Sequence, residues 1–170
     1  MPEFNTLLQA EIPKLRRYAR VLCRANPARA DDLVHDTLVR GLEKQHLWQP
    51  GTNLRSWLFT IMHNLNVNEV RTSVRWEEVV GDDVLVRLSA NTDAESSRKL
   101  MELDRALRRL PEEMRQVILL VGLEGLPYGE AAAVLGIPTG IVRSRLSRGR
   151  HALRVLLDEV VPVEHELAAA

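Results

Sequence analysis

Residues 128–150, YGEAAAVLGIPTGIVRSRLSRGR, decide the fold of the C-terminal half, because they predict two short helices joined by a tight turn. Three consecutive alanines at positions 131–133 leave room for a second helix to cross closely, and Gly136 falls where the chain needs a left-handed residue. Pro138 suits the start of the next helix. The pattern predicts a helix-turn-helix, the motif that places its second helix in the major groove of DNA.

The second of these helices combines an apolar stripe with a basic face. The stripe consists of Val142, Leu146, Gly149, Leu153 and Leu156. No acid occurs over 139–154, and Arg143 and Arg145 lie near the helix start, where a guanidinium can hydrogen-bond a guanine edge twice. Arginines further along, ending at Arg154, are expected to neutralise phosphates. A basic helix face more often only contacts solvent. Here, however, the glycine turn, the apolar stripe and the basic face all indicate the same DNA-binding motif. The expected DNA-binding residues are Thr139, Arg143, Ser144, Arg145, Ser147, Arg148 and Arg150.

The composition of the 170 residues, 45% hydrophobic and 27% charged with no net charge, is that of a soluble globular chain. Charge is distributed unevenly: residues 1–75 hold eleven Lys or Arg against seven Asp or Glu, whereas residues 76–98 hold two against six. The lone Cys23 excludes an internal disulfide, and no cluster of Cys and His has zinc spacing. Neither a membrane-spanning run nor a secretory signal is present, so we expect a cytoplasmic protein without metal or cofactor.

Helical periodicity throughout predicts an all-α chain of two small helical domains joined by a linker. Residues 1–75 hold three helices: one from Ile12 with Pro13 in its first turn, one capped by Asn26, and one capped by Thr52 or Asn53. The expected core positions of the first two helices are Leu15, Tyr18, Ala19, Leu22, Ala30, Leu33, Val34, Leu38 and Leu42. Residues 76–98 form an acidic linker, residues 99–161 a four-helix unit that includes the helix-turn-helix, and residues 162–170 a frayed tail.

Four segments resemble the extracytoplasmic-function (ECF) sigma factors of bacterial RNA polymerase. Residues 30–40, ADDLVHDTLVR, resemble the family's AEDLVQETFLRA, and residues 57–65, WLFTIMHNL, resemble WLYRIARNL. Residues 110–115, LPEEMR, resemble LPxxxR, and residues 140–148, GIVRSRLSR, resemble GTVKSRLxR. Each motif alone is modest, but the four occur in the family's order.

The resemblance implies a subunit that binds core RNA polymerase, at the coiled coil of its largest subunit and at its flap, and directs it to promoters. Its two domains would be sigma regions 2 and 4, which bind the −10 and −35 elements. The residues that match the surface for the coiled coil are Asp32, His35, Asp36 and Val39. The residues that the resemblance places at the separated −10 strand are Asn53, Arg55, Ser56, Thr60, His63, Asn64 and Arg71. Trp57 is expected in the core, whereas Trp48 could plug the bundle or stack near a base.

Some positions depart from the family pattern. Thr60 and His63 replace residues that are often basic, Ile141 replaces Thr, and Gly149 replaces Ala. The glycine costs about 1 kcal/mol of helix preference, which is tolerable where helices approach closely. Residues 48–53 resemble the branch that governs the general stress response of alphaproteobacteria. The family also implies an anti-sigma partner and an acidic linker that mimics nucleic acid inside the polymerase.

Three other functions compete with this interpretation. A stand-alone helix-turn-helix regulator would explain residues 128–150 but not the N-terminal motifs, and it should shift duplex DNA without polymerase. A sigma-like decoy that binds an anti-sigma factor would not need an acid-free arginine array. An enzyme could use His35, Asp36 or Glu130 as acid–base groups, but no nucleophile elbow, phosphate loop or metal motif accompanies them. We therefore expect no catalysis by this chain alone.

Overall fold

The computed structural model describes residues 2–23, 26–72 and 93–160, which form seven α-helices and contain no β-strand. The helices are α1 (Pro2–Leu22), α2 (Pro27–Glu43), α3 (Leu54–Thr72), α4 (Ala94–Arg109), α5 (Glu112–Val117), α6 (Tyr128–Leu135) and α7 (Thr139–Val160). A 3-10 turn, Gln45–Leu47, follows α2, and a π-helical turn, Ile118–Leu123, continues α5. The all-α prediction is confirmed. Most of the predicted linker and all of the predicted tail lie outside the described residues.

Helix α1 begins ten residues earlier than the sequence pattern predicts, and Pro13 lies in its interior rather than its first turn. The reason is that Phe4 and Leu8 extend the apolar stripe and are buried. The ring of Phe4 packs 5.6 Å from that of Trp48 and 6.3 Å from that of Trp57. Trp48 therefore packs against the bundle. Trp57, which was predicted to be a core residue, is likewise only partly buried and packs against the core of the first three helices.

Helix α2 starts as predicted, because Oδ1 of Asn26 accepts a hydrogen bond from Arg29 N at 3.1 Å. Its core face differs at one end: Leu42 is exposed, and the buried position is Gly41 instead. A Cβ at Gly41 would lie 3.2 Å from Leu58 Cδ2, so the glycine sits where α2 and α3 approach closely. At this end, the buried face of α2 therefore contains Gly41 and not Leu42.

The second block, α4 to α7, begins with Asp93, whose carboxylate caps α4 by accepting from Ser96 N at 2.7 Å. Residues 93–98, assigned to the linker by the sequence pattern, thus belong to the cap and first turns of a helix. Buried Arg115 donates to Arg108 O, and Arg108 pairs with buried Asp104. These contacts join α4 to α5, and the predicted four-helix unit is confirmed.

The first block, α1 to α3, and the second block, α4 to α7, pack against each other and share a continuous apolar core. Helix α3 lies against α6, and α1 contacts α4. The ring of Tyr18 of α1 packs against that of Phe59 of α3, with 4.8 Å between their centres and a tilt of 57°. Burial raises the pKa of Tyr18 far above its usual range, and the carboxylates of Glu124 and Glu112 from the second block add to the rise. The first block is therefore partly covered by the second.

Candidate nucleic-acid interface

The turn between α6 and α7 has the geometry that the sequence predicts. Gly136 adopts the left-handed conformation, with φ 65° and ψ 35°, and Ile137 N donates to Ala132 O at 3.1 Å. Ala131 and Ala132 are buried at the helix crossing, whereas Ala133, predicted to share that role, is exposed. The buried stripe of α7 is confirmed at Val142, Leu146 and Gly149, while Leu153 and Leu156 are partly buried.

The outer face of α7 presents a row of basic and hydroxyl side chains. Exposed members are Arg143, Ser147, Arg148 and Arg150, and Thr139 and Ser144 are partly exposed. The guanidinium of Arg143 lies 5.9 Å from the centre of the Tyr128 ring. Arg148 Nε donates to Ser144 O at 3.3 Å. These local contacts orient both arginines while leaving their remaining donors facing outward.

Arg145 differs from the other predicted DNA-binding residues of α7. Its side chain is only 22% exposed, and its guanidinium lies 3.5 Å from a carboxylate oxygen of Glu113 on α5. It also lines a cleft of about 420 Å³ between the two blocks. Reaching a base edge in this conformation would require Arg145 to leave Glu113.

Two residues that we expect at the −10 strand are bound to the second block. Asn53 Nδ2 donates to Glu130 Oε2 at 2.7 Å, and Ser56 Oγ donates to the same oxygen at 2.6 Å. Asn53 also caps α3, because its Oδ1 accepts from Ser56 N at 3.4 Å. Glu130 belongs to the first turn of α6. The first helix of the helix-turn-helix therefore covers the start of α3.

Arg55 and Thr60 of the same expected set are also engaged. Arg55 Nε pairs with Glu11 at 2.9 Å, and its Nη1 donates to Glu124 O at 3.3 Å. Thr60 Oγ1 donates to Ser56 O at 2.9 Å within α3. Asn64 is exposed, while the side chain of Arg71 lies outside the described residues.

His63 lines the cleft between the blocks together with Glu112, Glu113 and Arg145. Burial lowers the pKa of His63 below its usual range, and Glu112 opposes that shift. Its Nδ1 is buried and has no hydrogen-bond partner within the described ranges. His63 therefore faces the second block, and its burial disfavours the protonated form.

The centre of the contact between the blocks is an ion pair that the sequence pattern does not reveal. Arg17 of α1 donates from Nε and Nη2 to the carboxylate of Glu124, with three distances of 3.1 Å. The Glu124 side chain is completely buried, and that of Arg17 is 35% exposed. Burial raises the pKa of Glu124, and the neighbouring Arg17 limits the rise. No local motif marks either residue, since 107 positions separate them.

The outer face of α2 is exposed. As predicted, it carries Asp32, His35, Asp36 and Val39, all four of them exposed. Val39 is 41% exposed and Leu42 is 42% exposed, so an apolar strip adjoins the acids.

The described ranges contain no group of three His, Cys, Asp or Glu side chains that could hold a metal ion. None of their helices is long and apolar enough to cross a membrane.

Comparisons with known proteins match both blocks. The family model for the Sigma2 domain of PhyR matches residues 8–63, and that for region 4 of sigma-70 matches residues 100–153. The ECF RNA polymerase sigma factor EcfG of Rhodopseudomonas palustris is 37% identical over 148 residues, which cover 87% of this chain and 81% of that protein.

Two solved structures share the arrangement of helices. The sigma factor RpoE of Bartonella quintana, in complex with the anti-sigma factor NepR, has a TM-score of 0.74 at 29% identity, with 93% of this chain and 98% of that chain covered. CnrH in complex with the cytosolic domain of CnrY has a TM-score of 0.65 at 28% identity, with 92% and 88% covered.

Proposed function

Because this chain belongs to the ECF family of RNA polymerase sigma factors, we propose that α7 reads the −35 element while the start of α3 captures the separated −10 strand. Sigma factors direct core RNA polymerase to promoters and assist promoter opening. The observation that carries the assignment of α7 is its exposed, acid-free row of arginines behind the left-handed turn at Gly136. This arrangement can enter a major groove.

Within α7 the roles divide by position. Arg143 lies in the second turn, near the end of the helix that enters the groove, so it is placed to read a guanine edge. Arg148 and Arg150 lie further along, where phosphates approach, and their charges release counterions on binding. Thr139, Ser144 and Ser147 donate hydrogen bonds from shorter side chains to the DNA backbone. Arg145 can also contact DNA once its guanidinium leaves Glu113.

The first block captures the strand through a rigid helix start. Opening the duplex requires unstacking, which costs a few kcal/mol per step, and the released strand needs compensating partners. Asn53 and Ser56 offer an amide and a hydroxyl side by side, since both reach one oxygen atom in this structure. Arg55, Thr60, His63, Asn64 and Arg71 complete the proposed contact set along α3.

The exposed face of α2 is the proposed surface for the coiled coil of the largest polymerase subunit. Asp32 and Asp36 stand one helical turn apart, where like charges repel by a few tenths of a kcal/mol on an isolated helix. A basic partner would remove that repulsion, and exposed Val39 supplies apolar area beside the acids. The flap of the polymerase is the proposed partner of the second block.

The relatives also suggest how the protein is used. Similarity to EcfG and to the Sigma2 domain of PhyR supports a place in the general-stress-response branch. Similarity to RpoE, which was solved in complex with the anti-sigma factor NepR, supports an anti-sigma partner. We place the protein in the cytoplasm, where the polymerase is. Sigma factors are not enzymes in general, and we propose that the polymerase performs all of the chemistry.

The test is a run-off transcription assay with core polymerase and a genomic promoter library. We expect discrete transcripts that require both the chain and core enzyme. Arg150→Ala, which removes a proposed phosphate contact, should reduce transcription. Arg98→Ala, which changes an exposed position of α4, should not. The proposal would be overturned if the same transcripts formed without the chain, or if the chain incorporated nucleotides without core enzyme.

A parallel binding assay separates the competing function. A sigma factor should retain promoter duplex chiefly after mixing with core polymerase. A stand-alone regulator should shift the same duplex alone, and with undiminished affinity when Asp36 on the α2 face is replaced by Arg.

A further inference from the structure

One carboxylate of the second block occupies the position where the first block is expected to hold DNA. Glu130 Oε2 accepts from Asn53 Nδ2 at 2.7 Å and from Ser56 Oγ at 2.6 Å. Both are short for hydrogen bonds of their type, as expected when the acceptor is charged. A separated strand offers the same chemistry, because its phosphate oxygens and base carbonyls are also acceptors.

The contact is supported by a larger interface. Arg55 donates to Glu124 O, and the buried carboxylate of Glu124 is held by Arg17. Helix α6, which carries Glu130, packs along α3. Because α6 lies directly over the donors, a strand and α6 cannot occupy the start of α3 together.

From this overlap we propose that Glu130 is an intramolecular competitor of the promoter strand, so that the free protein masks its own strand-binding site until the blocks separate. The inference rests on the proposed function, since it names the regulation of the same site. A ligand that binds only the separated state gains apparent affinity in proportion to the population of that state. Weakening the Glu130 contact should therefore strengthen strand binding.

The experiment compares the full chain with Glu130→Ala and with the matched control Glu95→Ala. Both glutamates lie in the first turn of a helix of the second block, so both variants lose one negative charge near a helix N-terminus. Glu95 pairs only within α4, with Lys99, among the contacts of the described residues. The probe is a fluorescein-labelled single-stranded DNA of random sequence, titrated by polarisation.

We expect Glu130→Ala to bind the probe about threefold to tenfold more tightly than Glu95→Ala, since the variant loses two charge-assisted hydrogen bonds that are partly solvated. Equal affinities of the two variants would overturn the inference, because the gain would then be a general effect of charge.

A second readout follows the blocks directly. Spin labels on Lys44→Cys and Asp158→Cys, two exposed positions in different blocks, report the distance between them. Cys23 can stay, because it is buried and burial raises the pKa of its thiol to about 11. Glu130→Ala should broaden the distance distribution to longer values, and Glu95→Ala should leave it unchanged. An unchanged distribution in Glu130→Ala would contradict masking.

The two proposals fail in different ways. If the wild-type chain drives run-off transcription but Glu130→Ala neither opens nor binds the probe more tightly, the masking inference fails and the sigma function stands. If no variant supports transcription but Glu130→Ala opens and binds the probe more tightly, the masking inference stands for single-stranded DNA and the promoter function fails.

Discussion

At the scale of the residue, Gly149 shows how a departure from a family pattern acquires a physical reason. A Cβ at this position would lie 2.9 Å from Ile118 Cδ1 and 3.3 Å from Met114 Cβ. The glycine thus lets α7 lie directly on α5 and the π-helical turn. Its cost in helix preference is offset by this close contact.

Gly149→Ala should lower the free energy of unfolding by about 1 kcal/mol, since overpacking outweighs the gain in helix preference. Thermal unfolding followed by circular dichroism measures the change. Gly140→Ala is the matched control in the same helix: a Cβ there has nothing within 4 Å, so we expect a gain of about 0.5 kcal/mol. Adding Ile118→Val, which removes Cδ1, should restore part of the loss in Gly149→Ala; an unimproved double variant would contradict the steric explanation.

His63 predicts a pH dependence of stability. Burial lowers its pKa in the folded protein, so below about pH 6.5, the pKa of an exposed histidine, the unfolded chain binds the proton more readily. Stability should therefore fall as the pH drops through the interval between 6.5 and the lowered value. Glu112 opposes the shift, and Glu113 and Arg145 line the same cleft.

His63→Gln, which cannot take up the proton, should lose this part of the acid sensitivity. Melting temperatures of the two proteins, measured from about pH 8 to about pH 5.5, should diverge only below about pH 6.5. Glu124 titrates in the opposite sense, but in both proteins alike, so it cancels in the difference. Parallel curves would show that His63 is not responsible.

At the scale of the element, we expect the arginines of α7 to divide into one that recognises a base and others that attract the DNA backbone electrostatically. Arg143→Ala should cost about 1–3 kcal/mol on the preferred −35 duplex and relax the preference at one base pair. Arg150→Ala should weaken binding to all duplexes and reduce the slope of log affinity against log salt by about 1. Holoenzyme binding at several salt concentrations measures both. Identical specificity profiles for the two variants would contradict the division.

The elements also show which boundaries a sequence pattern can give. The start of α2 was predictable because Asn26 and Pro27 act locally as cap and first turn. The start of α1 was not, because Phe4 packs against two tryptophans that come more than forty residues later. Similarly, the π-helical turn at Ile118–Leu123 has no local signal in the sequence.

At the scale of the whole molecule, the Arg17–Glu124 pair predicts how firmly the blocks hold together. Arg17→Ala leaves a buried carboxylate without its cation, which costs about 2 kcal/mol, because Arg17 is partly exposed and the full penalty of a buried pair does not apply. The variant should show a larger radius of gyration in small-angle scattering. Arg40→Ala, which removes an exposed pair within α2, should not. Equal radii for the two variants would show that the pair does not hold the blocks.

The candidate site was predictable where chemistry is local. The exposed arginines of α7 and the outer face of α2 followed from helical spacing, since a helix fixes which residues share a face. The engagement of Asn53, Ser56 and Arg145 did not follow, because their acidic partners come from other elements. Glu130 had appeared only as a candidate acid–base group, and its position over α3 depends on how the blocks pack.

Periodicity, capping and motif order depend on neighbours along the chain, so the amino-acid sequence was enough to predict a helical chain, a helix-turn-helix and the resemblance to sigma factors. The packing of the two blocks on each other, and the position of Glu130 over the expected strand site, became visible only in the folded chain. Those contacts join residues up to 107 positions apart, and the free energy that selects them comes from burial and pairing in three dimensions.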